Sequence, residues 1–340
     1  MNREIPKKIH FIWLGGPIPE KYLREIMKLS AVAYRSKFEV ILWVDHQINY
    51  HKTLNNIHAG GEIFNIRIPG LYTKNIYQLY HKMKKELFYM ENNQLNNFWK
   101  CVERELIGFK NLAAASDFLR YEILRQEGGY YFDTDTQFNI TSKTKLIADC
   151  PHFGIKTNLT SIDGKTEKLD YNEANPRYIT TGFKGSNDVI GSLPDHAVLQ
   201  AIIVDIITSY EALDRSAAEV KRASFKIHKN TTDMDLKRYP TKPPIRKYFW
   251  EPRSQRTELS IETAGPGALA RAITKLWKVS SDDMHTLDVY RSLTLENTWK
   301  QTVAGMDIVS RSDRTWVYKE HLHSFDDSDI PSNTISRLKR

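Results

Sequence analysis

Two carboxylates stand one residue apart in Phe132-Asp133-Thr134-Asp135-Thr136. In an extended chain Asp133 and Asp135 point to the same face, and in a loop both can still turn toward one site. Carboxylates this close repel each other unless a cation lies between or beside them. Their oxygen ligands suit a hard cation, Mn2+ or Mg2+, which can also hold phosphate oxygens. Upstream, Asp117 and Arg120 lie three residues apart and share one helix face. An aspartate can accept two sugar hydroxyls, and an arginine donates to sugar or phosphate oxygens. Each pair alone also has a plainer reading: an Asp-x-Asp is commonly a solvated turn, and Asp-x-x-Arg a surface ion pair.

Positioning these groups falls to a helix, a stop and a strand. Leu112, Leu119, Ile123 and Leu124 recur at helical spacing, and Ala113–Ala115 are strong helix formers. Gly128-Gly129 ends the helix, and Tyr130-Tyr131-Phe132 favours a pleated strand. Earlier, residues 9–14 read as a buried first strand before the Gly15-Gly16 turn. Pro19–Arg35 reads as a helix and Phe38–Asp45 as a second buried strand. Strand, helix, strand is the start of a nucleotide-binding α/β half. A third strand is expected at Ile63–Ile68, and one or two surface helices over Tyr72–Asn93. Downstream, Phe153–Lys156 continues the sheet, and the polar run Ile179–Ser192 leads into a helix starting near Pro194. Ala197–Ile207 is apolar but interrupted by Gln200 and Asp205, which suits a core helix rather than a membrane span. The basic, proline-broken stretch Lys221–Arg256 reads as an exposed loop or a surface for an acidic acceptor. Gly265-Pro266-Gly267 opens another helix, whose first N–H groups could face phosphate or sugar oxygens. Trp316–Phe325 alternates like a strand, which puts His321 and His323 on one face.

A chain of 340 residues can bury a substantial core as one large domain or two small ones. Its net charge of +8 suits an anionic ligand, an acidic partner or peripheral contact with a membrane surface, and nothing points to nucleic acid. The two cysteines, Cys101 and Cys150, exclude a disulfide framework or a zinc cluster and fit a reducing compartment. No apolar signal segment follows Met1, and no transmembrane span is expected.

The stretch from Ser116 to Asp135 resembles the sugar-nucleotide site of metal-dependent GT-A glycosyltransferases. It is most similar to the catalytic domain of the large clostridial glucosylating toxins and to the Och1-like DXD sugar-binding family. Their pattern, Ser-Asp-x-x-Arg on a helix and then Gly-Gly-x-Tyr-x-Asp-x-Asp, is met here by Ser116, Asp117, Arg120, Gly128, Gly129, Tyr131, Asp133 and Asp135. Ile5-Pro-Lys-Lys-Ile-His-Phe-Ile-Trp13 resembles the families' opening strand. The resemblance implies an α/β, Rossmann-like GT-A fold: a central mixed sheet flanked by helices, with additional helical insertions. It implies a single catalytic domain over residues 1–340, with a nucleotide-binding half (1–140) and a sugar and acceptor half (141–340). By the same resemblance Trp13 stacks on the base, with Ile12 and Leu14 offering backbone groups to its edge. Tyr131 helps to hold the nucleoside, and Asp117, Arg120 and Ser116 orient the sugar. Asn187 and Asp188 are further sugar contacts, and Ser324 touches the diphosphate. Asp133 and Asp135 hold Mn2+ or Mg2+, with a third ligand among His321, His323 and Asp326.

The implied activity is retaining transfer of glucose or N-acetylglucosamine from a UDP-sugar to an acceptor hydroxyl. Without a membrane anchor the chain looks more like a toxin or effector domain acting on a host protein, such as a small GTPase. That implies residence in the bacterial cytoplasm and delivery to the host cytosol by a non-classical route. Two alternatives stand beside it. One is a glycan-building transferase of the Och1-like type. The other is a phosphohydrolase, because Asp-x-Asp-x-Thr/Val after an apolar strand also resembles the haloacid-dehalogenase motif; its fifth position is Gln137 here.

Overall fold

The computed structural model describes residues 4–45, 51–53, 55, 68–86, 89, 94–108, 111–150, 152–157, 185–227, 263–277, 297–299 and 302–310. Apolar runs set its centre. Strand β1 (Lys8–Trp13) alternates Ile9 and Phe11 toward one face of the sheet with His10 and Ile12 toward the other. Helix α1 (Glu20–Arg35) buries Leu23, Ile26, Leu29 and Val32, a stripe at helical spacing, and leads into β2 (Glu39–Val44), parallel to β1. The third strand is β3 (Leu71–Asn75), parallel to β2. It takes the start of a stretch read as helix; of the strand expected at 63–68, residues 63–67 lie outside the described residues. Helix α2 (Tyr77–Met83) follows, with Leu79 and Met83 buried rather than at a surface. Helix α3 (Gln94–Glu103) runs into a π turn, Arg104–Gly108.

Helix α4 (Leu112–Glu127) starts at Asn111, whose side chain accepts from the Ala114 N–H, and ends at Gly128 with φ 61°. Strand β4 (Gly129–Phe132) lies parallel to β1 on the side away from β2. Both glycines are required here. A Cβ on Gly128 would sit 2.7 Å from Pro194 and 2.9 Å from Pro6, and one on Gly129 would sit 2.5 Å from the Lys8 carbonyl. Strand β5 (Thr136–Asn139) then leaves the main sheet.

Strands β6 (Phe153–Thr157), β7 (Gly185–Ser192) and β8 (Asn297–Trp299) complete a seven-stranded mixed sheet of order β3-β2-β1-β4-β7-β6-β8. The Asn, Asp, Ser and Gly of β7 look like turn residues. Antiparallel pairing with β4 on one side and β6 on the other overrides that preference. Helix α5 (Ala197–Ile227) starts three residues after Pro194, because Asp195 takes a left-handed φ of 54° and breaks the entry. Helix α6 (Pro266–Trp277) starts on the Gly-Pro-Gly turn, as expected. A small antiparallel sheet joins β5, β10 (Met306–Ser310) and β9 (Thr302–Val303). Its register pairs Ser310 with Thr136, which returns the chain to the neighbourhood of the acidic pair. One apolar cluster packs α1 on one sheet face; the other packs α4, α5 and α6 on the opposite face. No helix among the described residues is long and apolar enough to cross a membrane.

His10 lies within this frame, fully buried. It donates from Nε2 to the Gly128 carbonyl (2.9 Å) and accepts from Trp43 Nε1 at Nδ1 (3.2 Å), which requires a neutral ring. Burial, against the pull of the Gly128 carbonyl and Glu127, lowers its pKa from 6.5 to about 4. The unfolded chain therefore binds a proton between these values that the folded chain refuses, so stability is lost as pH falls through that window. A loss of about 2 kcal/mol is expected between pH 7 and pH 5 from this group. Urea midpoints at the two pH values should show that slope reduced in His10→Gln.

Candidate functional site

β1 and β4 are neighbouring parallel strands whose onward connections leave to opposite sides, with β1 leading through α1 to β2. The carboxyl ends of such a pair form the crevice where open α/β sheets bind ligands. β1 delivers Trp13 there and β4 delivers Asp133. β7 runs antiparallel to β4, so its first half brings Asn187 and Asp188 to the same end; the Asp133 N–H donates to the Asp188 carbonyl at 2.9 Å. α4 runs back against β4, so its first turns carry Ser116, Asp117 and Arg120 to this end as well.

Arg120 is the hub. Only 4% exposed, it pairs through Nη2 with Asp117 Oδ1 (2.8 Å) and Asp133 Oδ1 (3.2 Å) and donates from Nη1 to the Asn187 carbonyl (2.6 Å). Its Cζ lies 4.6 Å from the centre of the Tyr131 ring. Burial works against its charge, but Asp133, Tyr131 and Asp117 outweigh it and hold the guanidinium charged. The Tyr131 hydroxyl donates to Asp133 Oδ1 (2.7 Å), with Ser116 Oγ 3.4 Å away. Asn187 donates from Nδ2 to Asp117 Oδ1 (2.8 Å) and to the Tyr121 hydroxyl (3.3 Å). Burial raises the Asp117 pKa against Arg120 and Asn187.

Burial also pushes Asp133 up to about 7; Asp188 and Asp135 add to the push, and Arg120 and the Tyr131 hydroxyl oppose it. Its side chain keeps 32% of its surface exposed, so solvent tempers that push. Asp188 pairs with Lys156 at 3.1 Å. Asp188 and Asp135 are near enough to Asp133 to disfavour its charged form, and a hard divalent ion beside Asp133 would relieve that repulsion. Among the described residues no group of three or more His, Cys, Asp or Glu side chains is gathered to hold a metal. Asp133 and Asp135 therefore supply part of a shell.

The sequence-derived set thus converges in Ser116, Asp117, Arg120, Tyr131, Asp133 and Asn187. Tyr131 is 1% exposed, with Arg120 over its ring, so in this arrangement its hydroxyl holds Asp133 and its ring offers no open face to a nucleoside. Asp188 is tied to Lys156, and Asp135 sits half-buried in the turn. Trp13 is half-buried at the end of β1, its ring 5.3 Å from that of Tyr22, while Ile12 and Leu14 are buried. His321, His323, Ser324 and Asp326 lie outside the described residues. Sequence reading passed over Tyr121 and Lys156. Tyr121 stands one helical turn after Asp117, a spacing that could have flagged it; Lys156 reads as an ordinary strand residue.

Residues 76–149, which include α4, β4 and the acidic pair, match the family model of the TcdA/TcdB catalytic glycosyltransferase domain. Over 133 residues, 39% of the chain, it is 29% identical to "Subversion of eukaryotic traffic protein A" of Legionella pneumophila subsp. pneumophila (strain Philadelphia 1), and the match takes in 17% of that protein's length. The catalytic domain of α-toxin from Clostridium novyi has a similar structure, with a TM-score of 0.50 and 16% identity over 99% of this chain and 83% of that one. The UDP-bound glycosyltransferase domain of the YGT toxin gives 0.48 and 14% over 95% and 83%. The fold is that of toxin glycosyltransferase catalytic domains, and the segment that carries the acidic pair matches a glycosyltransferase family model.

Proposed function

We propose that this chain is a metal-dependent, retaining glycosyltransferase. In this reading it moves glucose or N-acetylglucosamine from a UDP-sugar to a hydroxyl on a host protein such as a small GTPase. The observation that carries the reading is the meeting of Asp117, Arg120, Asp133 and Asn187 at the carboxyl ends of β1 and β4, within a segment matching a glycosyltransferase model. Trp13 offers a flat ring to the base. Asp117 accepts from sugar hydroxyls, and Arg120 holds Asp117 and Asp133 at fixed separation. Asp133 and Asp135 would hold Mn2+ or Mg2+, with His321, His323 or Asp326 as a further ligand and Ser324 at the diphosphate. When bound, the ion neutralises negative charge on the departing diphosphate. The sugar C1–O bond to UDP breaks with its electron pair leaving on the diphosphate, the acceptor oxygen bonds to C1, and the acceptor proton passes to the departing diphosphate. The pairing of Ser310 with Thr136 supports a C-terminal ligand, since it starts the following segment beside the acidic turn. A seven-stranded sheet drawing on both halves of the chain favours one catalytic domain. A relative named for subversion of eukaryotic traffic favours a host acceptor and an effector role.

Thermal shift and donor hydrolysis with a panel of nucleotide-sugars, with and without Mn2+, test this. Stabilisation and hydrolysis of one UDP-sugar, dependent on Mn2+ and absent in Asp135→Asn, are expected. Indifference of the folded protein to every nucleotide-sugar, with Asp133-dependent release of phosphate from phosphomonoesters, would replace the transferase with the phosphohydrolase.

A further inference from the structure

Tyr121 has no part in the reading above, yet it is fully buried with its hydroxyl inside the polar network. That hydroxyl donates to the Gly265 carbonyl at 3.2 Å and accepts from Asn187 Nδ2 at 3.3 Å. A phenol has one proton to give. Once it goes to Gly265, the oxygen can meet Asn187 only as an acceptor. Burial, with Asp117 nearby, pushes the phenol above its ordinary range, so the proton stays. Asn187 Nδ2 gives its other hydrogen to Asp117 Oδ1 at 2.8 Å. The chain therefore has one direction: Asn187 to Asp117, Asn187 to Tyr121, Tyr121 to Gly265. Both amide hydrogens of Asn187 are consumed, and what the side chain can offer a ligand is its carbonyl oxygen.

The far end of this chain is anchored. Gly265 immediately precedes α6, and Arg271 of α6 pairs with Asp205 of α5 at 2.7 Å and donates to the Thr263 carbonyl at 3.4 Å. The position of Gly265 is thus set by helix packing outside the site, and Tyr121 transmits it to Asn187.

Resting on the UDP-sugar reading, we infer that Tyr121 is a positioning residue. Its hydroxyl fixes the amide of Asn187 so that the site meets the donor sugar with an acceptor oxygen, and thereby selects among sugars by the hydroxyl they present. Without the hydroxyl, one amide hydrogen of Asn187 loses its partner and the amide is held by Asp117 alone, while the Gly265 carbonyl keeps the Ala268 N–H. The ring remains to fill its place in the apolar cluster.

Tyr121→Phe and Tyr121→Met separate the hydroxyl from the ring. Dissociation constants for UDP and for the preferred UDP-sugar, and hydrolysis rates for that donor against its sugar epimers, are measured with Mn2+ alongside melting temperature. Both variants are expected to bind UDP as the wild type does. Both should lose about tenfold in the preference for UDP-sugar over UDP and in discrimination between epimers, the scale of one buried hydrogen bond. Wild-type behaviour of Tyr121→Phe, with loss only in Tyr121→Met, would make the ring a packing element and overturn the inference. Equal loss of UDP and UDP-sugar binding in step with melting temperature would overturn it too. A wild-type protein that binds no UDP-sugar would remove the donor reading and this inference with it.

Discussion

Arg120→Lys should lower donor turnover on the order of 10²-fold while leaving the protein folded. The guanidinium serves five groups at once: Asp117, Asp133, the backbone carbonyls of Asn187 and Ser116, and the Tyr131 ring. A lysine keeps the charge but is a point donor on a flexible stem, and it cannot span two carboxylates and a carbonyl in one plane. The carboxylate it fails to reach is left under-compensated at the entrance of the site. Asp133 is the more exposed to this, since burial already pushes its carboxyl up to about 7 with Arg120 in place. Weakening the Arg120 contact moves that value higher, so the carboxylate form is lost at a higher pH as acid is added. The acid limb of the pH–rate profile should therefore shift upward in Arg120→Lys. Circular dichroism and a pH series of donor hydrolysis check both parts. A rate within threefold of wild type with an unmoved acid limb would remove Arg120 from the working site.

What could be read in advance was what repeats or stops. The unbroken apolar runs of β1 and β2, the glycine pair after α4 and the Gly-Pro-Gly start of α6 each state their own conformation. Neighbours decided the elements that were misread. Gly185–Ser192 has the residues of a turn and becomes an inner strand because β4 and β6 both present free edges to it. Tyr72 and Thr73 sit at the head of a polar, helix-like run and are drawn into β3 by parallel pairing with β2. The hairpin over Thr302–Ile308 is set at Ala304-Gly305, where both residues take positive φ, a conformation that the alanine does not announce. At the site, side-chain type revealed Asp117, Arg120 and the acidic pair. It did not reveal that Tyr131 turns inward or that Tyr121 reaches Gly265, because both depend on what packs over α4.

Buried charge on α4 was the least legible feature, and it sets the second large effect. Glu122 and Arg125 have the i,i+3 spacing typical of exposed helix pairs, yet their side chains are 0% and 2% exposed. Arg125 binds Glu122 twice at 2.9 Å, Asp195 at 2.7 Å and also Glu86, while Tyr89 and Gln126 donate to Glu122. Arg125→Met should destabilise the fold by about 3–5 kcal/mol, because it leaves Glu122 charged in an apolar interior. Glu122 responds by protonation. Burial already raises its pKa against the pull of Arg125, and removal of Arg125 raises it further. Below that raised value the folded carboxyl is neutral, and the penalty declines as pH drops toward the ordinary glutamate range. The deficit relative to wild type should therefore shrink as pH falls from about 7 toward 5, and Glu122→Gln combined with Arg125→Met should recover part of it at neutral pH. Urea midpoints across that pH range measure both. A deficit independent of pH and not reduced in the double variant would make Arg125 a packing residue whose charge is incidental. Arg120 and Arg125 lie five residues apart on one helix, and their effects should separate. Arg120→Lys is read in turnover, whereas Arg125→Met is read in stability, with the preference for UDP-sugar over UDP unchanged in whatever remains folded.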